Sequence, residues 1–248
     1  MVSSRLSTRS EDRPRGPLSI LLTPRAAFLG LRGKPRAVVL VLAVSLLAAL
    51  PGVAFVTTVD LGAYLDKQMR ASGQKVEEMP EEAQRALKEQ APKVMRVVIP
   101  VGAAGKRAGW ILLMGVLGFA FLRGGFPALR FSQAAAAVAL ATTPLVLGDV
   151  LKAALFWSQD AARLDVMNPI LSNPAAWFGL SVEKSPLGAV LSHADLFELW
   201  SLALTAMGLN VVAGAKSKIP WILVGVTFAA LVVMDVVGAA AVAAKIGA

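Results

Sequence analysis

The chain has 248 residues, 56% of them hydrophobic, and its 25 Lys and Arg outnumber 16 Asp and Glu for a formal charge of +9. Soluble domains carry roughly 45–50% apolar residues; here the apolar residues gather into runs too long for soluble helices, so lipid is the expected solvent for most of the chain. The absence of cysteine excludes disulfide, thiolate-metal and thiol redox chemistry, the single histidine, His193, excludes a multi-histidine metal site, and no cofactor is expected.

The position of the charge matters more than its sum. Eight basic and two acidic residues precede Ala37, which is +6 of the +9. The positive-inside rule accounts for such a cluster ahead of a first apolar run. No RNP, helix-turn-helix or zinc-finger pattern accompanies the arginines, so a nucleic-acid partner is not expected.

Residues 1–16, rich in Ser, Arg, Gly and Pro, read as a disordered cytoplasmic tail. Residues 17–36 read as a juxtamembrane amphipathic helix lying in the headgroup layer, with an ordinary linker as the alternative. Thr23 suits the N-cap and Pro24 the first helical position. Ala27, Phe28 and Leu31 then share a face, and Gly33 and Pro35 end the turn.

The membrane domain is expected over 37–248. Its first span is 37–56, about 20 uncharged residues that cross a ~30 Å core, with a kink at Pro51-Gly52. The extracytoplasmic loop 57–99 alternates in charge. Pro80 followed by EEAQRALKEQ places acid in a first helical turn and base later, the order favoured by the helix dipole. Two short polar helices are expected there.

The second span, 100–122, contains Lys106 and Arg107. Either they snorkel to the outer headgroups or they lie inside the membrane, where cations are costly and mark function. Gly105 and Gly109 form a small-xxx-small pair. Arg123 and Arg130 flank a tight cytoplasmic turn. The third span, 131–151, should kink at Pro144, with Thr142 and Thr143 bonding freed carbonyls. Asp149 and Lys152 stand at i,i+3 spacing near its outer end.

Residues 152–193 form a second extracytoplasmic loop, with Asn-Pro and Ser-Pro turns among aromatics suited to the interface. The fourth span, 194–213, opens on Asp195-Leu196-Phe197-Glu198-Leu199-Trp200 and carries Asn210. Lys216 and Lys218 mark a short cytoplasmic turn before the fifth span, 219–244. The result is an all-α, polytopic five-span bundle with its amino terminus inside and its carboxyl terminus outside.

No catalytic constellation emerges. His193 and Asp195 with Ser185, Ser192 or Ser201 supply triad residue types, but no nucleophile-elbow pattern surrounds a serine, and Walker A, HExxH and GxGxxG patterns are missing. What remains is a set of polar or packing positions at membrane depth: Asp235, Asp195, Glu198, Asn210, Asp149, Lys152, Lys106, Arg107 and Trp200. Asp235 stands out. It lies about 24 Å along the fifth helix, in the outer half of the core. A carboxylate there calls for a partner or water, and Lys106, Arg107 and Lys152 are the candidates at similar depth. The readings are a structural interhelical bond, an ion or proton relay, and a surface-proximal residue.

DLFELWSLALTAMGLNVVAG, followed by lysines and a further apolar span, resembles the penultimate helix of bacterial Yip1-domain membrane proteins. The stretch ILLTPRAAFLGLRGKPR is similar to the segment that precedes the first span of that family, with Pro24, Phe28 and Leu31 in phase. The resemblance covers about residues 18–245. A DLYGP-type motif of eukaryotic members is absent, so their vesicle-trafficking role is not carried over. The resemblance implies a non-enzymatic protein of the bacterial inner membrane, in contact with the lipid bilayer and with a membrane-protein partner or a second copy, as scaffold or accessory subunit of an export system. A small transporter or channel using Asp235 as a polar path is the alternative.

Overall fold

A computed structural model describes residues 19–71, 79–158, 169–180, 182 and 185–246. The expected tail 1–16 and part of the second outer loop lie outside the described residues. Every regular element among the described residues is helical. That is the outcome lipid demands of a chain without barrel-forming strands, because each backbone polar group must be satisfied within its own segment.

The amino-terminal part is a pair of short helices, α1 (Ser19–Leu22) and α2 (Pro24–Gly30). Thr23 sits at the N-cap with Pro24 behind it, but its hydroxyl does not cap; it donates to the Ser19 carbonyl at 3.2 Å. Phe28 and Leu31 are buried, whereas Arg25 and Arg32 are exposed.

The first apolar run forms α3 (Ala37–Ala48) and α4 (Leu50–Thr58), which together make a 22-residue helix long and apolar enough to cross a membrane. Its backbone steps at Ala49, just before Pro51. Gly52 then lies against the next span so closely that a Cβ there would be 3.1 Å from the Pro100 Cα.

The charged stretch that follows differs from the expectation of two separate polar helices. Only α5 (Leu61–Ala71) stands alone. The second polar segment, α6 (Glu81–Arg85), runs through a wide π-turn at Ala86–Gln90 into α7 (Ala91–Arg123). The Ala91 N–H donates to the Ala86 carbonyl, five residues back. Pro92, which has no N–H to offer the normal ladder, follows directly, and the wider turn lets the helix continue past it. The product is one helical rod from Glu81 to Arg123, 43 residues and about 65 Å long.

Helices α8 (Phe131–Ala141) and α9 (Thr143–Ser158) bend by 40° at Thr142. Pro144 cannot donate to the Leu140 carbonyl, and the Thr143 hydroxyl does so instead at 2.7 Å; Thr142 similarly serves Ala139 at 2.8 Å. The expected kink therefore forms with the expected compensation. Two short helices, α10 (Pro174–Trp177) and α11 (Pro186–Ser192), precede α12 (Leu196–Ala213) and α13 (Ile219–Ile246).

Four helices are long and apolar enough to span a membrane, and the bent α8–α9 pair makes a fifth when counted as one. At the centre is α8. All nine residues from Gln133 to Ala141 are buried, with α3, α7 and α12 packed around them. Its alanine run explains the position. Between helices in lipid there is little hydrophobic drive, and close van der Waals contact of small residues takes its place. Gly115 of α7 sits so near that a Cβ would lie 3.1 Å from the Ala135 Cα. By contrast, α7 and α13 leave most of their apolar surface exposed.

Candidate functional site

One end of the bundle, called here the basic end, carries Arg25, Arg32, Lys34, Arg36, Arg123, Arg130, Lys216 and Lys218. The other, the far end, holds most of the candidate polar residues.

At the far end, α7 presents Arg107 to Asp149 of α9. The Arg107 Nη2 lies 2.8 Å from the Asp149 Oδ2, and each side chain is 13% exposed. Arg107 Nη1 is buried without a protein partner among the described residues. Its neighbour Lys106 points away and is exposed, so the two adjacent cations part company. Lys152 makes no ion pair with Asp149 within 4 Å; it contributes only its charge nearby. The expected Asp149–Lys152 pair is thus replaced by an interhelical one, which binds α7 to α9 rather than decorating a single helix.

The opening of α12 is built from Asp195. Its Oδ1 accepts from the Phe197 and Glu198 amides at 2.8 and 3.1 Å, an N-cap that satisfies two of the helix's orphan donors. The Ser172 hydroxyl donates to its other oxygen, tying the preceding loop to the cap. Phe197 packs its ring on Gly148, where a Cβ would sit 3.2 Å away, so α9 and α12 close beside the Arg107–Asp149 pair. Trp200 is half-buried against the main core.

Asp235 of α13 meets none of the three cations proposed as its partners. It is 61% exposed and lies 2.9 Å from His193 Nε2. The other ring nitrogen, Nδ1, faces Glu198 at 3.3 Å, and Phe228 stacks edge-on against the ring. A neutral imidazole donates from one nitrogen only, so carboxylates at both nitrogens favour the imidazolium. His193 accordingly titrates above its ordinary range, chiefly through its hydrogen bond to Glu198. Burial opposes the shift, and the Glu198 charge and the exposed Asp235 add to it. The two carboxylates stand on opposite sides of the ring and do not converge, and no group of three metal-ligating side chains forms among the described residues.

The triad types do not assemble. Ser185 caps α11, the Ser192 hydroxyl donates to the Ala189 carbonyl and Ser201 is buried in α12. None of the three hydroxyls hydrogen-bonds to the His193 ring.

Asn210 belongs to the other end. Its amide donates to the Ser217 carbonyl at 3.0 Å and accepts from the Ser217 N–H at 3.1 Å, so it staples the α12–α13 turn rather than lining a polar path. Gly214, at φ 71°, ends α12 in a left-handed C-cap, with the Ala215 N–H returning to the Asn210 carbonyl. Arg32 donates to the Val211 carbonyl from Nε and Nη2 at 2.8 and 2.6 Å, and the Gln133 amide donates to the Arg32 carbonyl at 2.7 Å. One turn earlier on α12, Gly208 receives the fully buried Phe28 ring.

His193, Arg32, Gln133 and the Phe28–Gly208 contact were not singled out from the sequence as site positions. For His193 a signal existed, a lone histidine five residues before Glu198. Its pairing with Asp235 across 42 residues had none.

No curated protein and no solved structure matches the chain. The Yip1 domain matches residues 18–239, a stretch that includes α1 and α2 at one end, α12 near the other, and the Phe28–Gly208 and Arg32–Val211 contacts that join them. This protein belongs to the Yip1 domain family of membrane proteins.

Proposed function

We propose that the protein is a non-enzymatic scaffold or accessory subunit of a membrane complex. It lies in the bacterial cytoplasmic membrane in five spans, with the basic end and amino terminus cytoplasmic and the carboxyl terminus outside. The family is not known as an enzyme family. The charge asymmetry between the ends supports the orientation.

The observation that carries the reading is the outer part of the Glu81–Arg123 rod. Val94, Val97, Val98 and Val101 fall at i, i+3, i+4 and i+7, and all four are more than half exposed. Their opposite face, Met95 and Ile99, packs onto the α4–α9 cluster. An apolar stripe of this spacing is what a helix offers to a groove on another protein. The far-end charges support the same reading, because Arg107, Asp149, Asp195, Glu198 and His193 are spent on one another and on helix caps.

Site-specific photo-crosslinking from Val94 and Val98 in cells tests this. A discrete protein adduct that co-purifies in mild detergent and survives Asp235→Asn supports the scaffold. Lipid adducts alone, with no co-purifying chain, count against it.

The buried, unpartnered Arg107 Nη1 favours a second reading, a water-accessible polar path past Arg107 to Asp235. That reading requires Asp235→Asn to alter ion or solute flux in proteoliposomes.

A further inference from the structure

At the basic end a recess of about 670 Å³ opens between α2, the last turn of α12 and the first turn of α13. Its polar rim and apolar floor come from different elements. Arg25 of α2 and Lys216 of the α12–α13 turn stand on the rim, both exposed. Neither touches a carboxylate among the described residues. The floor is Leu29, Met207, Val211 and the half-exposed Trp221.

The other polar side chains of the recess are already used. The Thr23 hydroxyl donates to Ser19, and the Asn210 amide is held at both ends by Ser217. Arg25 and Lys216 are therefore the donors left for a ligand, and they call for an anion. The floor calls for a hydrocarbon chain attached to it. Depth agrees: Trp221 is the third residue of α13, where an indole sits at headgroup level, and Leu22 on the neighbouring helix is 87% exposed beside the charges.

We propose that this recess is a binding site for an anionic phospholipid. Arg25 and Lys216 hold the phosphate ester, and the first part of an acyl chain lies along Met207, Val211 and Trp221. Basic recesses between spanning helices at the headgroup level take such lipids. Which leaflet supplies the lipid follows from the orientation proposed above; the binding does not depend on it. The site also draws on three elements, so an occupied recess adds a second tie between α2 and the α12–α13 turn.

The full chain is purified and delipidated in a neutral detergent. Retained phosphatidylglycerol and phosphatidylcholine are then counted by native mass spectrometry. Wild type should retain phosphatidylglycerol in preference. Arg25→Gln with Lys216→Gln should weaken it about 25-fold, about five-fold for each cation. Lys34→Gln with Lys218→Gln removes the same charge from the same end and should leave retention nearly unchanged. Brominated phosphatidylglycerol should quench a tryptophan signal that Trp221→Phe abolishes. Equal losses in the two double variants would reduce the effect to diffuse surface charge and overturn the site. So would unchanged retention in Arg25→Gln/Lys216→Gln. Displacement of the lipid by millimolar inorganic phosphate or glycerol phosphate would overturn the lipid in favour of a soluble ester.

Discussion

Substituting Gly208 by alanine should undock the amino-terminal helices. The added Cβ would lie 2.6 and 2.8 Å from two ring carbons of Phe28, where carbon atoms normally settle at about 3.5–4.0 Å. The ring is fully buried, and to relieve the contact it must retreat by about 1 Å and take α2 with it. Overpacking of this kind costs about 1–3 kcal/mol. Because the chain has no cysteine, a single Ile20→Cys serves as the reporter; Ile20 is fully buried in the docked state. Maleimide labelling through local opening should accelerate roughly five- to 150-fold in Gly208→Ala, the factor that ~1–3 kcal/mol implies. Phe28→Leu, which shortens the side chain, should recover part of the loss when combined with Gly208→Ala, leaving the pair ~1–2 kcal/mol less destabilised than the sum of the single changes. Unchanged labelling in Gly208→Ala, or strict additivity of the two substitutions, would refute the close-contact account of how α2 is held.

Three further outcomes can be checked in detergent or proteoliposome unfolding experiments. Arg107→Leu strands the Asp149 carboxylate in a nearly buried position and should cost about 3–5 kcal/mol, whereas Arg107→Leu with Asp149→Leu should lie much nearer wild type. His193 is held above its ordinary pKa, so its contribution is complete below about pH 6.5, the unfolded value, and is lost as pH rises through the folded one; the thermal midpoint should fall over that interval in wild type and stay flat in His193→Gln. Thr143→Val leaves the Leu140 carbonyl without its hydroxyl donor and should cost about 1 kcal/mol, which Pro144→Ala should offset by restoring a backbone N–H.

What the sequence made legible was whatever depends on one segment at a time. The apolar runs, the Pro144 kink with its threonine compensation and the Asp195 opening of α12 are all local, and each is readable from residue type and spacing. The Glu81–Arg123 rod was half legible. The helix start after Pro80 is a local signal, but the π-turn that carries the helix past Pro92 is not. Pairings between helices had no local trace. Arg107 could have met Asp235 or Asp149, both at suitable depth, and nothing local tells them apart; in the fold it lies 2.8 Å from Asp149. Asp235 found His193 because α11 packs beside α13, a contact no periodicity encodes. The resemblance to the Yip1 family rested on two stretches read separately. In the folded chain they touch, through Phe28 on Gly208 and Arg32 on the Val211 carbonyl, so what looked like two family markers is one packing joint.

The π-turn at Ala86–Gln90 gives the rod a property an uninterrupted α-helix lacks. A wide turn is one residue more than the regular ladder holds, and each residue of an α-helix advances about 100° around the axis. Moving that surplus residue along the rod re-aims by such a step only the residues it passes, while those beyond it on either side keep their register. Shifted toward Glu81, it turns Glu81–Arg85 onto another face of the rod without unseating Gly115 from Ala135 or Arg107 from Asp149. The joint is thus a point at which the polar end of the rod can be re-aimed while the packed part stays seated.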